Sequence, residues 1–313
     1  MNLDLLVITS NLASLFCLIA VGFAAVRSGL FSQEAAAPFS ALLLRITLPC
    51  TIFISLVQRE YDPAFIRDSL VIIALGLVAF PAMLYASRLI APALGVPGGR
   101  RGIWAFCCAF SNAGFMGFPI ALTLFGPEGL ALAVMLNITF NIYVYTIGAM
   151  EIARDNDAGA APLNWRSVLL SNINIALVLS LVFYFGRVPL PDVLAMPLRF
   201  LSDITTPLSM IITGMALGKS RGRELFMDRD AYTSAAMRLA VLPLVLYALF
   251  RLLPVENPLV VAVAVVIFAM PAPSITTVLT EMYHGNMELA ARSLFLHNIL
   301  CVATIPLICL LFS

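Results

Sequence analysis

The residues with the most evident chemistry are polar or helix-breaking ones set inside strongly apolar segments. One such segment is FSNAGFMGFP, residues 110–119, which contains Ser111, Asn112, Gly114, Gly117 and Pro119. Gly and Pro are poor helix formers, and an Asn side chain is unfavourable to bury without hydrogen-bond partners. Unwound backbone in an apolar setting offers N–H, C=O, amide and hydroxyl groups to a ligand. The segment therefore favours binding rather than covalent chemistry.

A second apolar segment is interrupted in the same way 159 residues further on. In AMPAPSITT, residues 269–277, Pro271 falls opposite Asn112 and Pro273 opposite Gly114, and the polar residues Ser274 and Thr276 follow. Two matched interruptions predict two broken helices whose N-terminal ends direct partial positive charge at one place, which suits an anionic group. The alternative is a pair of proline kinks in a closed helix bundle.

Two charged residues lie within apolar runs at equivalent positions. Arg45 is four residues before Pro49, and Asp203 is four residues before Pro207. One interpretation is a charge pair beside the site, in which Arg45 attracts an anionic substrate. The alternatives are a structural ion pair and charges that face water at a dimer groove.

Other polar residues in apolar runs are candidates for binding or ion coupling. Asn137 and Asn141 share one helix face; we favour Asn141 as a substrate contact and Asn137 as a helix–helix hydrogen bond. His297, beside Asn298, could carry a coupling proton, and a buried neutral imidazole is at least as good an interpretation. Glu281 is a weaker candidate for ion coupling.

The composition indicates a polytopic membrane protein. Of 313 residues, 61% are hydrophobic and only 11% are charged, with a mean hydropathy of +1.00. So few charges cannot cover a water-soluble fold of this size. The net charge of +1 gives no basic footprint for nucleic acid. The sequence has no Gly-x-Ser-x-Gly, His-Glu-x-x-His or carboxylate cluster, so we expect neither an enzyme nor a bound cofactor or metal.

The apolar runs predict ten all-α transmembrane spans. They fall near 5–26, 38–57, 70–90, 103–125, 130–153, 168–185, 194–218, 232–253, 259–283 and 289–312. Short matches at offsets of 158 to 162 residues, such as Ile46-Thr47-Leu48-Pro49 with Ile204-Thr205-Thr206-Pro207, suggest two copies of a five-span unit. The copies would be 1–153 and 168–313, with a cytoplasmic linker at 154–167. An odd span number makes the repeat inverted, as in many secondary transporters.

The distribution of cationic residues predicts the orientation in the plasma membrane. With both termini outside, the cytoplasmic connections and adjoining helix ends would hold twelve Lys and Arg residues, Arg238 among them, against five on the outer side.

These features resemble the auxin efflux carrier family, which includes plant PIN-type auxin exporters and bacterial permeases for malonate and similar acids. The resemblance rests on the segment from Ser111 to Pro119, on Leu48-Pro49, and on the runs 207–217 and 303–307. It covers essentially the whole chain. Two features differ from the common pattern: 271–276 lacks an Asn, and His297-Asn298 stands where Ser-Thr is frequent.

The resemblance implies a bile-acid-symporter-like fold in which broken spans four and nine cross. It also implies a scaffold of spans one, two, six and seven, a mobile unit of the other six, elevator-type alternating access and often a homodimer. We therefore expect a secondary transporter of a small organic anion, such as an auxin-like or dicarboxylic acid, in contact with membrane lipid. The alternatives are a sodium-coupled organic-acid symporter and a non-transporting membrane sensor; proton or sodium coupling stays open.

Overall fold

The computed structural model describes residues 5–32, 34–156, 171–219 and 223–312, which form helices and turns and no β-strand. The helices are α1 Leu5–Arg27, α2 Ala36–Val57, α3 Pro63–Ile90, α4 Arg101–Ala109, α5 Phe118–Tyr143, α6 Asn172–Gly186, α7 Asp192–Lys219, α8 Arg229–Arg251, α9 Pro258–Phe268, α10 Ile275–Met282 and α11 Met287–Cys309. Beyond α5, a π-helical turn at Val144–Gly148 and a short helix at Ala149–Ala153 continue in the same direction.

The helices are those of a polytopic membrane protein. Within the described residues, seven helical stretches are long and apolar enough to cross a membrane, and α6 and α9 are shorter apolar helices. The longest stretch, Gly98–Ala153, has 56 residues. The ten predicted spans are thus not ten separate long helices. Part of the predicted sixth span, 168–170, lies outside the described residues.

Between the predicted fourth and fifth spans, the chain makes a sharp bend instead of a loop. Gly126 has φ 68° and ψ −165° in the middle of α5, and helix continues on both sides of it. Only glycine adopts such a conformation without a side-chain clash, and Pro127 then pre-sets the first turn of the next helical segment.

Three π-helical turns end directly before a pair that contains proline. They are Leu43–Thr47, Ala113–Gly117 and Met237–Val241, followed by Pro49, Pro119 and Pro243. Proline has no N–H and pushes away the carbonyl four residues earlier, so the helix widens locally. Before Pro49 the displaced carbonyl belongs to Arg45, and it accepts a hydrogen bond from Asn172 Nδ2 on α6 at 3.1 Å.

The helices pack most extensively within two groups. In the first group, α1 lies along α7, and α2 packs against both α6 and α7. In the second, α3 packs on α4 and α5, α9 on α5, and α8 on α11. The buried aromatic rings of Phe80, Phe106, Phe110 and Phe268 pack against one another inside the second group.

Glycines allow the backbones of α1 and α7 to touch. A Cβ atom on Gly214 would overlap the carbonyl of Ile19, and one on Gly22 would overlap the carbonyl of Ile211. Close helix packing through small residues is typical of membrane proteins.

We expect Gly214→Ala to lower the stability of the protein by about 1–3 kcal/mol, because the added methyl group must push two packed backbones apart. Thermal unfolding of the purified protein in detergent would measure the change. Gly98→Ala is the matched control, since nothing lies within 4 Å of a Cβ atom there. Equal melting temperatures for the two variants would contradict the close contact.

Asp228 organises one end of the second group. Its Oδ1 accepts the N–H groups of Asp230 (3.0 Å) and Ala231 (3.3 Å), which caps α8, while Oδ2 binds Arg100 (2.5 Å) and Arg292 (3.2 Å). Burial raises the pKa of the Asp228 carboxyl, but the hydrogen bond and charge of Arg100 and the bond from Arg292 outweigh it. The pKa therefore lies below its ordinary value.

A carboxyl group whose pKa is lowered by folding stabilises the folded state at pH values above the pKa that it has in the unfolded chain. This stabilisation is lost as the pH falls through the pKa of the folded state. We expect Asp228→Asn, which keeps a capping side chain, to lower stability at neutral pH by about 2 kcal/mol. The difference from wild type should shrink below about pH 4. Glu288→Gln, which removes only an exposed partner of Arg292, is the control. A difference that is independent of pH would contradict the ion-pair role.

Candidate functional site

Two interrupted helices meet within the second group, at a contact between residues 110–112 and 269–274 that we call the crossing. α4 ends at Ala109, residues 110–112 are extended or irregular, and helical structure resumes at Ala113. α9 ends at Phe268, and α10 begins at Ile275. The two irregular segments touch, because the Asn112 N–H donates to the Pro271 carbonyl at 2.8 Å. Both segments predicted from Gly and Pro are therefore interrupted in the structure and lie side by side.

A side chain caps the first of the two helix starts, and a backbone carbonyl accepts hydrogen bonds near the second. Asn112 Oδ1 accepts the Phe115 N–H at 3.3 Å and caps the turn that begins at Ala113. Near the start of α10, the Pro273 carbonyl accepts the Thr276 N–H at 2.9 Å and its hydroxyl at 2.5 Å. The Ala113 N–H donates to the Ser111 carbonyl at 2.9 Å. The N–H groups of Gly114 and Ile275 have no intrahelical partner by the geometry of a helix start, so they are available to a ligand.

One arginine ties the ends of α4 and α9 together. Arg238 of α8 is fully buried; its Nε donates to the Met270 carbonyl at 2.8 Å, and its Nη1 donates to the carbonyls of Cys108 (3.0 Å) and Ala109 (3.1 Å). Counting Arg238 with the cytoplasmic cations was therefore wrong, and that side keeps eleven. The signal that could have revealed it is its place inside the predicted span 232–253.

His297 lies behind the same crossing and is fully buried. Its Nδ1 accepts the Ala272 N–H at 3.3 Å, and its Nε2 is 3.0 Å from Ser234 Oγ, which itself donates to the Ala231 carbonyl at 2.9 Å. Nδ1 must therefore be unprotonated and Nε2 must carry the proton. These bonds suit a neutral imidazole that holds the second irregular segment in place.

A cavity of about 470 Å³ lies where the crossing meets α2, α5 and α7. It is lined by apolar side chains and by neutral polar ones, and no lining residue is charged. The polar ones are Ser40, Ser111, Asn112, Asn137, Asn141, Tyr145, Thr213, Ser274 and Asn298. Ser111 Oγ and Asn298 Oδ1 are buried without a hydrogen-bond partner in the described structure, so both are available to a bound molecule.

Comparison with known proteins places the chain in a family. Residues 7–309 match the family described as membrane transport protein. The chain belongs to this family. The match confirms the resemblance to auxin efflux carriers noted from the sequence.

Two archaeal relatives of the transporter cover nearly its whole length. An uncharacterized transporter of Methanothermobacter thermautotrophicus is 23% identical over 299 residues, 96% of each chain. An uncharacterized transporter of Methanocaldococcus jannaschii is 26% identical over 301 residues, 93% of this chain and 94% of its own. The matches cover nearly the whole of this chain and of both relatives, so the three proteins are similar in length.

The structure separates the predicted site residues of the transporter into three sets. Lining the cavity are Ser111, Asn112, Gly114, Asn141, Pro273, Ser274 and Asn298. Buried around the crossing, but not lining the cavity, are Pro119, Pro271, Thr276 and His297. Away from it lie the exposed residues Arg45, Asp203 and Glu281.

Arg45 and Asp203 make no ion pair with each other in the described part of the chain. A hydrogen bond of 2.7 Å between the hydroxyls of Thr51 and Thr205 joins α2 to α7 instead. Asp203 lines a second cavity, of about 550 Å³, together with Arg59 and Arg199.

Asn137 and Asn141 both line the cavity, but their hydrogen bonding differs from the expectation. Asn141 Nδ2 donates to Asn174 Oδ1 of α6 at 3.0 Å, so this residue makes the contact between helices. The side chain of Asn137 makes no hydrogen bond with the described residues. Asn137 is therefore at least as good a candidate for a ligand contact as Asn141. Sequence reasoning did not identify Ser40 and Thr213, which reach the cavity from α2 and α7.

Proposed function

We propose that this membrane transport protein is a secondary carrier that moves a small organic anion, a carboxylate, across the cytoplasmic membrane. The observation that carries the proposal is the neutral cavity at the crossing of two interrupted helices. The turns that start at Ala113 and Ile275 both contribute to its lining, so their partial positive charge acts on whatever occupies the cavity. A carboxylate could accept hydrogen bonds there from free N–H groups, Ser111 and Asn112.

We propose that the fold is an inverted repeat of five and five spans. The bend at Gly126 would divide Gly98–Ala153 into two crossings, and α9 with α10 would together form one. Counted in this way, the helices make ten crossings in units 1–153 and 168–313, with the linker 154–167 and both termini outside. The matched interruptions at 110–112 and 269–274 support this arrangement.

The packing of the helices supports an elevator-type movement. In this proposal α1, α2, α6 and α7 form the scaffold, and the other helices carry the crossing as one mobile unit. The cavity lies on the boundary between them. Polar contacts across that boundary are isolated, and they include Asn11 to Thr123, Asn141 to Asn174 and Arg59 to Glu128. A boundary of this kind can slide with few bonds broken.

An exposed charge on the scaffold supports a homodimer. Arg45 lies on an apolar helix beside the exposed Ile46. A charged side chain facing lipid is unfavourable, so Arg45 suits a water-containing groove between two copies better than a lipid surface. Asp203, by contrast, lines the second cavity with Arg59 and Arg199.

The cavity favours a carrier without a dedicated sodium site, because none of its lining residues is a carboxylate. Proton coupling or movement driven by the membrane potential fits this lining. A sodium-coupled symporter and a non-transporting sensor remain the alternatives.

A thermal-stability screen of the purified protein tests the proposal. Acetate, malonate, succinate, benzoate and indole-3-acetate would be compared with their neutral amides, at mildly acidic and mildly basic pH, with and without sodium. We expect dose-dependent stabilisation by at least one acid and none by its amide, because a ligand that binds only the native state stabilises it by mass action. Stabilisation only in sodium would favour the symporter. Stabilisation by amides or amines alone would contradict an anion site.

A further inference from the structure

We propose that Arg238 is the positioning residue that makes the crossing selective for anions, although it does not line the cavity. This inference rests on the proposed function, since it names the source of charge for the same site. Arg238 would act by neutralising the negative ends of α4 and α9, so that the positive ends of the helices that follow remain effective at the cavity.

The contacts of Arg238 place its charge at those two helix ends. Its three hydrogen bonds go to the carbonyls of Cys108 and Ala109, at the end of α4, and of Met270, two residues beyond the end of α9. A planar guanidinium can serve several acceptors in fixed directions, which a flexible ammonium group does less well. One side chain thereby holds both interrupted helices at a fixed separation.

No acidic side chain offsets this charge in the described structure. The ion pairs of the described residues do not include Arg238. Its Nη2 is buried without a hydrogen-bond partner. An arginine buried in this way acts on its surroundings through a weakly screened field, and the helix ends are the groups that it faces.

The balance of partial charges gives the crossing a positive face. Each helix end carries roughly half a unit charge, negative at the C-terminus and positive at the N-terminus. The C-terminal ends of α4 and α9 therefore amount to about one negative charge, which Arg238 cancels. The N-terminal ends at Ala113 and Ile275 remain, and no charged side chain lines the cavity to oppose them.

A purely structural role for Arg238 would have a different experimental signature. As a cap alone, its loss would weaken folding and reduce the binding of charged and neutral ligands alike. As the source of anion selectivity, its loss would weaken the binding of a carboxylate far more than that of the matching carboxamide. The ratio of the two affinities therefore separates the two roles.

The test uses the purified full-length protein and isothermal titration calorimetry with two probe pairs, benzoate with benzamide and indole-3-acetate with indole-3-acetamide. The variants are Arg238→Gln, which can keep a bond to one carbonyl without the charge, and Arg238→Lys, which keeps the charge. Arg292→Gln removes a cation from the same helix group at Asp228, away from the cavity lining, and is the matched control.

We expect Arg238→Gln to lower the acid-to-amide affinity ratio on the order of tenfold, the effect of a unit charge acting over about 10 Å at an effective dielectric constant of about 20. Arg238→Lys and Arg292→Gln should keep the wild-type ratio. An unchanged ratio in Arg238→Gln would overturn this inference but not the proposed function. If Arg238→Gln does not fold, Arg238→Lys provides the test instead. A lowered acid-to-amide affinity ratio in folded Arg238→Lys protein would overturn the inference, and a retained ratio would support it. Wild-type protein that binds none of the five acids of the stability screen would overturn the proposed function itself.

Discussion

Replacing Asn112 with alanine is expected to weaken the binding of the transported acid strongly. The side chain lines the cavity, and its Oδ1 caps the turn whose N–H groups face the ligand. Without the cap, the first helical turn loses a hydrogen bond, with a loss of about 1 kcal/mol in stability. Without the amide, the cavity loses a donor next to Ser111. We expect at least a tenfold loss of affinity, about 1.4 kcal/mol, in a calorimetric titration.

Asn112→Asp separates the capping role from the binding role. Aspartate caps a helix as well as asparagine does, so stability should be close to wild type. The added negative charge should nevertheless repel a carboxylate. Asn286→Ala is the matched control, because Asn286 caps α11 through Leu289 N–H at 2.8 Å and does not line the cavity. This control should lose stability and keep affinity. Asn112→Asp protein that binds the acid normally would contradict an anion site at this position.

A covalent link between α5 and α6 is expected to stop transport completely. Asn141 on the proposed mobile unit and Asn174 on the proposed scaffold are joined by a hydrogen bond of 3.0 Å beside the cavity. If the two groups of helices must slide past each other, fixing this contact holds the carrier in one state. Flux in proteoliposomes would be measured for the double substitution Asn141→Cys and Asn174→Cys, in a background without the six native cysteines. Mercuric ion would form the link, and a thiol would reverse it.

A second link, within one group, provides the control. Asp68 on α3 accepts a hydrogen bond from Asn257 at the start of α9 at 2.5 Å, so both residues belong to the proposed mobile unit. The pair Asp68→Cys and Asn257→Cys should form the link equally well and leave flux unchanged by it. Undiminished flux after complete linking of the Asn141 and Asn174 positions would contradict relative movement of the two groups.

The interruptions at the crossing were predictable from the sequence because they have local causes. Gly114, Gly117 and Pro119 weaken the interior of a helix, and so do Pro271 and Pro273. Their matched spacing also indicated that the two segments belong together, and the hydrogen bond between Asn112 and Pro271 joins them. Residues 111–114 and 273–274 then line the cavity.

The remaining features depend on contacts between distant parts of the chain. Arg238 counted as one more cation near a helix end, and only the folded arrangement brings it to the carbonyls of Cys108 and Met270. The partner of Asn141 is 33 residues away on another helix. The spacing of Arg45 to Pro49 left a role beside the site as one of three interpretations, because spacing alone does not fix which face of a helix a side chain occupies.

Flux of a radiolabelled acid into proteoliposomes that contain only the purified protein tests the central claim most directly. The acid would be the one that stabilises the protein most, and Asn112→Asp protein and protein-free liposomes would be measured beside it. The account predicts saturable uptake, faster when the same unlabelled acid is inside the liposomes. It also predicts that Asn112→Asp abolishes this uptake. Uptake equal to that of protein-free liposomes, for an acid that the protein binds, would contradict a carrier and favour a membrane sensor.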